Sequence, residues 1–264
     1  MTQVTERPVA PSRGPAPGRM WTVLGIVVIA VIALGWWFSG WSDGDTTTVS
    51  NEFTVSEAID SIVVRSDAGN ITVTGADVTE ASYVQVVHAG TSEPEVTRTV
   101  SGGTLRLEAD CPFLSSRCSV DFEITAPRGV VVDVSTSAGN VIVERLDAEV
   151  TAETSAGNVI LQGLTGPVDA HTSAGNVEGT SLETARIEAS TSAGNVDLRF
   201  DREIEYIDAT TSAGNVTIGV PGGPYDVDAE SSIGKVTIEV PTDPSADARI
   251  VAQTSAGTVT IRSR

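Results

Sequence analysis

A serine-bearing phrase recurs along the C-terminal half of the chain, and a repeated serine raises the question of nucleophilic catalysis. Five copies read Thr-Ser-Ala-Gly-Asn-Val, beginning at Thr136, Thr154, Thr172, Thr191 and Thr211, with variants Ser231-Ser-Ile-Gly-Lys-Val236 and Thr254-Ser-Ala-Gly-Thr-Val259. A serine nucleophile needs a base beside it and a group that orients the base. The two histidines do not supply this: His171 falls on an outward position four before Gly175, and His88 ends a strand-like run. There is no Gly-x-Ser-x-Gly elbow, Walker-type loop or Gly-x-Gly-x-x-Gly stretch. A serine present in every repeat is structural, so we expect no catalytic residue and no cofactor.

Carboxylates offer the next chemistry. Six residues before each repeat glycine stand Asp133, Thr151, Asp169, Glu188, Asp208, Asp228 and Val251. If the repeats stack in chain order, Asp169, Glu188, Asp208 and Asp228 become one consecutive acidic ladder. Calcium could relieve its repulsion, but one carboxylate per repeat falls short of the six or more oxygens calcium takes. We therefore read the four as a solvated candidate interaction face and expect no metal site. Cys111 and Cys118, with six residues between them, form an even, nearby pair that reads as a disulfide in an oxidising compartment. It is a local staple, because a loop this short gains somewhat less than the roughly 3 kcal/mol of a 15-residue one.

The elements that position these residues follow from the spacing. Steps between the glycines Gly139, Gly157, Gly175, Gly194, Gly214, Gly234 and Gly257 are 18, 18, 19, 20, 20 and 23 residues, a repeat period. Seven before each glycine lies Val132, Val150, Val168, Ile187, Ile207, Val227 or Ile250; five before it comes Val134 and then alanine six times. Such alternation marks a strand with one face inward. Valine stands two after every glycine, so the inward phase slips by one residue across Gly-Asn. A turn or bulge does this, with φ > 0 supplied by glycine and left-handed geometry tolerated by asparagine. The expected turn residues are Gly69, Asn70, Gly139, Asn140, Gly157, Asn158, Gly175, Asn176, Gly194, Asn195, Gly214, Asn215, Gly234 and Gly257, counting the upstream copy Ser66-Asp-Ala-Gly-Asn-Ile71.

Rungs of about 18 to 23 residues cannot bury an apolar face alone. We expect an all-β fold: a parallel β-solenoid of about seven rungs over residues 131–264, preceded by an irregular β cap over 51–130. An antiparallel β meander with hairpins at Ala-Gly-Asn is the alternative. The solenoid is preferred because a narrow interior explains the alanine column. Within the cap, Ala81–Val87 and Thr97–Glu108 read as ordinary strands, the latter a hairpin about Ser101-Gly-Gly103.

Residues 21–41 have the length and apolarity of a transmembrane helix, with Trp21 at one end and Trp36, Trp37 and Trp41 at the other. A cleaved signal peptide competes, but tryptophan fills the place where small residues would mark cleavage. The Pro-rich, arginine-bearing residues 1–20 then form a disordered cytoplasmic tail, 42–50 a linker, and the repeats lie outside the cytoplasm. The net charge of −19 excludes nucleic acid as a partner.

The run Ile124–Val141 (ITAPRGVVVDVSTSAGNV), followed by repeated strand-Ser-x-Gly-Asn-strand units, resembles the putative-adhesin family of bacterial β-strand-repeat envelope proteins, a domain of unknown function. The resemblance covers residues 50–264 and implies an extracytoplasmic β-repeat domain, in some members attached to envelope-stress regulators. It carries no catalytic residues across. The expected function is a membrane-anchored surface scaffold for an unidentified protein, glycan or cell-wall partner. The alternative is an envelope-stress or signalling regulator acting through the anchor and the tail.

Overall fold

The computed structural model describes residues 47–90, 92–112 and 117–264. The expected tail, the expected membrane helix and residues 42–46 of the expected linker lie outside the described residues. Among the described residues there are 21 strands and no helix, and none of them forms a helix long and apolar enough to cross a membrane.

The first seven strands are β1 (Thr47–Val55), β2 (Ser61–Ser66), β3 (Ile71–Ala76), β4 (Ala81–Ala89), β5 (Glu95–Ser101), β6 (Thr104–Asp110) and β7 (Ser119–Pro127). Because β1 begins at Thr47, the last four residues of the expected linker are already strand. Seven two-strand rungs follow: β8 (Val131–Ala138) with β9 (Val141–Glu144), β10 (Val150–Ala156) with β11 (Val159–Gln162), β12 (Val168–Ala174) with β13 (Val177–Leu182), β14 (Arg186–Ala193) with β15 (Val196–Phe200), β16 (Tyr206–Ala213) with β17 (Val216–Val220), β18 (Asp226–Ile233) with β19 (Val236–Glu239), and β20 (Arg249–Ala256) with β21 (Val259–Ser263).

Each rung gives its first strand to a 10-stranded sheet and its second to an 11-stranded one. Neighbouring rungs pair in parallel with like residues opposite, as in Val150↔Val168 and Ala152↔Ala170, so the solenoid arrangement holds and the meander does not. The upstream copy is a rung of the same stack: β2 pairs with β8 and β3 with β9. Strands β6 and β7 make a further, disguised rung in parallel with β2 and β3. Its corner is not Gly-Asn but the excursion closed by the Cys111–Cys118 disulfide, whose Cα atoms are 5.8 Å apart. Beyond it, β4 and β1 add antiparallel strands to one sheet and β5 folds back on β6 in the expected hairpin.

One expectation is corrected. The stack does not follow chain order at its far end: β20 lies between β16 and β18, and β21 between β17 and β19. The final copy keeps the small Ala256 of an interior rung. The variant copy carries Ile233 and Lys235, which suit the rung with a neighbour on one side only.

The core fills the space between the sheets. Valine, isoleucine and leucine from both sheets are buried, and Ala152, Ala170, Ala209 and Ala252 are fully so. Gly179, the exception in the column four after the glycines, makes room for Leu182. A Cβ there would lie 2.7 Å from Leu182 Cδ1 and 2.9 Å from Leu198 Cδ2.

The threonine and asparagine of the repeated phrase act between rungs, while its serine stays exposed. The threonine hydroxyl, buried, donates to the glycine carbonyl of the previous rung: Thr154 to Gly139, Thr172 to Gly157 and Thr191 to Gly175, each at 2.9 Å. The asparagine Oδ1 accepts from the backbone N–H of the next asparagine, 2.8 Å from Asn158 to Asn176 N and again from Asn176 to Asn195 N. Glycine is required twice over, by φ near +150° and because the rungs touch there. A Cβ on Gly175 would meet the Gly157 carbonyl oxygen well inside the 3.0 Å that real Cβ atoms keep.

Candidate interaction surface

With threonine and asparagine spent inside the stack, the chemistry available to a partner is on the outward positions of the strands. In the 10-stranded sheet, outward columns run across the rungs roughly 4.8 Å apart. Asp169, Glu188 and Asp208 are direct register neighbours, as expected. Asp228 is not the fourth member: Val251 on β20 stands between it and Asp208. The consecutive ladder is therefore three carboxylates long.

These acids sit among counter-charges. Arg186 Nη2 lies 2.6 Å from Glu188 Oε1, and Arg249 Nη2 lies 3.5 Å from Asp228 Oδ2. Two rungs beyond the ladder, past Thr151, Arg65 grips Asp133 through two hydrogen bonds of 2.9 and 2.6 Å. Partial burial and, after it, the negative charges of Glu188 and Glu153 raise the pKa of Asp169. Burial likewise raises that of Asp208, helped by Glu188 and opposed by the Tyr206 hydroxyl at 3.4 Å. Among the described residues no three His, Cys, Asp or Glu side chains converge as a metal site would require.

The next outward column holds what the sequence reading missed. Glu153, His171 and Ser190 stand in register on three successive strands, and His171 Nδ1 is 2.8 Å from Ser190 Oγ. The signal was the common offset of four before each glycine, which sequence distance had hidden. The trio has the composition of a nucleophile, base and acid. It lies on a flat pleated face whose backbone N–H groups are committed to the parallel pairing, leaving no donor pair for an oxyanion. A shallow hollow of about 650 Å³ beside it is lined by Arg65, Asp67, Glu108, Glu153 and His171 together with the serine column Ser137, Ser155 and Ser173.

His88 also has partners from neighbouring strands. Its Nε2 is 3.1 Å from Asp121 Oδ2 and its Nδ1 is 3.3 Å from Thr48 Oγ1. Asp121 occupies the asparagine position of the disguised rung, and its Oδ1 accepts the Asn70 backbone N–H at 2.6 Å. It thus terminates the asparagine ladder.

By architecture the chain is a parallel β-repeat stack. Residues 36–262 match the family described as Toastrack DUF4097, and the chain belongs to that family. The resemblance expected from the repeats is thereby shown. Similar solved structures include a putative adhesin from Bacteroides fragilis (18% identity, TM-score 0.47, covering 83% of this chain and 97% of that one). They also include a putative cell adhesion protein from Clostridium sporogenes (9%, 0.39, 83% and 100%). A third is a putative lipid binding protein from Parabacteroides distasonis (13%, 0.41, 84% and 99%). No curated protein matches the chain.

Proposed function

We propose that the chain is a non-catalytic scaffold, tethered to the cell membrane through residues 21–41 and displaying its β-repeat stack outside the cytoplasm to bind a protein, glycan or cell-wall partner. The observation that carries this reading is the division of labour within the repeat. Threonine, glycine and asparagine are consumed in holding rungs together, while long, regular outward columns of charged and hydroxyl side chains remain for contact. The outward face is strongly acidic, which favours cationic or neutral partners over nucleic acid. Anchoring is supported by the uncharged stretch from Met20 to Ser42, eight residues longer than the fifteen-residue upper length of a signal-peptide core.

The test is topological. A Ser263→Cys variant, probed in intact cells with a membrane-impermeant maleimide, is expected to label, and the chain is expected to sediment with membranes. Deleting residues 21–41 should release it. Protection of that cysteine until cells are lysed would overturn the display, and retention on membranes after the deletion would overturn the anchor.

A further inference from the structure

The two ends of the stack are finished differently. At the near end the antiparallel strands β1 and β4 extend one sheet, β5 folds over β6 in the other, and the Arg98 guanidinium lies 4.2 Å above the Phe53 ring, joining the sheets across the core. Phe53 and Val55 are buried there. At the far end β18 and β19 are the last strands of their sheets, each paired on one side only. Positions that are fully buried in interior rungs are half-exposed at Val227, Ala229 and Val236, and Ile238 is 41% exposed. A crevice of about 380 Å³ opens between the two edges, floored by Ala229, Ser231 and Val236. An unpaired edge over an uncovered core is a template for another strand.

We propose that this far edge receives an extended segment of a partner protein in which apolar side chains alternate with lysine or arginine. The apolar residues would cover the inward positions Val227, Ala229 and Val236, and the basic ones, on the opposite face by the period of two, would lie beside the acids that flank the edge. Asp226 and Asp228 share Arg249, at 2.8 and 3.5 Å, whereas Glu230 and Glu239 have no ion pair among the described residues. A second copy fits worse. It would set this acidic rim against itself, each pair of like charges one strand spacing apart costing about 0.9 kcal/mol in water. Thr47, where the described chain begins, lies at the opposite edge of the 11-stranded sheet. The proposal deepens the scaffold reading by assigning it a docking edge and a class of partner.

The full chain in detergent micelles would be titrated with two capped eight-residue peptides, one alternating valine with lysine and one alternating valine with glutamate. The lysine peptide is expected to bind at least tenfold more tightly and to slow amide hydrogen exchange within 226–239. A Glu230→Lys/Glu239→Lys variant, altered only at exposed side chains, should reverse the preference. Equal affinities, an unchanged preference in the variant, or protection spread over the outer columns would overturn the proposal. Self-association protecting 226–239 would give the edge to a second copy instead. Peptide binding that arises only after deletion of residues 1–20 would give it to the chain's own N-terminal segment. None of these outcomes bears on the labelling test of display, so the two readings fail separately.

Discussion

Alanine at Gly175 tests the claim that rung-to-rung contact, and not turn geometry alone, fixes the repeat glycine. Gly175 has φ of +154°, outside the range an L-residue adopts easily, and its absent Cβ would collide with the Gly157 carbonyl oxygen. Conformational strain of this kind costs about 1 to 3 kcal/mol. The collision adds to it, since relief requires the rungs to part where Asn176 N donates to Asn158 Oδ1 at 2.8 Å and Gly157 N to Ala174 O at 3.0 Å. Weakening two such bonds costs about 1 to 3 kcal/mol more, giving an expected loss of about 2 to 6 kcal/mol. Two glycines serve as references. Gly102 has φ of +59° but nothing within 4 Å of a built Cβ, so Gly102→Ala should cost about 1 kcal/mol from strain alone. Gly129 has neither constraint, and Gly129→Ala should be neutral or stabilise by about 0.4 to 1 kcal/mol. Urea denaturation followed by far-ultraviolet circular dichroism ranks the three. A Gly175→Ala loss no larger than that of Gly102→Ala would refute the contact argument.

Three further outcomes are expected. Thr172→Val keeps the shape but leaves the Gly157 carbonyl without its 2.9 Å hydroxyl donor, and should cost about 1 to 2 kcal/mol in the same assay, whereas the exposed neighbour Ser173→Ala should stay within about 0.5 kcal/mol. Leu182→Ala should cost about 2 to 5 kcal/mol, and adding Gly179→Leu should recover part of it, because other rungs place leucine or isoleucine there; a merely additive double variant would show that Leu182 is not the filler. Asp169 and Asp208 have raised pKa values in the folded state, so their contribution is complete below the ordinary aspartate value of 3.8 and is lost as pH rises through the higher folded value. Calorimetry should therefore find an Asp169→Asn/Asp208→Asn variant with a higher Tm than the parent at neutral pH, the gap closing as the pH falls toward about 4.

The repeats were legible because their constraint is local and periodic. Val150, Ala152 and Thr154 alternate within one strand, and the phase slip at Gly157 can be counted along a single rung. What escaped was whatever depends on which rung lies beside which. Ser190 is 19 residues from His171 yet hydrogen-bonded to it, and the Glu153–His171–Ser190 column exists only once β10, β12 and β14 are adjacent. The swap of the last two rungs broke the expected four-acid ladder for the same reason: spacing along the chain gives register but not order. The rung of β6 and β7 was hidden by its disulfide-closed corner, which replaces Gly-Asn with a longer excursion.

The asparagine ladder has a direction, and its direction explains why its ends carry different residues. Each Oδ1 accepts from the rung on its far side, so the near end must begin with an acceptor that needs no donor behind it. An ionised carboxylate is acceptor only. Asp121 meets that need, taking the Asn70 backbone N–H at 2.6 Å and the Asn70 side-chain amide at 3.2 Å through the same oxygen. At the other end Thr258 N donates to Asn215 Oδ1 at 2.8 Å, but threonine has no amide oxygen to offer onward, and Lys235 on the last rung receives nothing from it. The stack is thus closed by a charge at the end nearest residue 47 and simply ceases at the end that leaves two sheet edges unpaired. That polarity, built from one atom of one repeated side chain, is what distinguishes a sealed end from an end able to accept another strand.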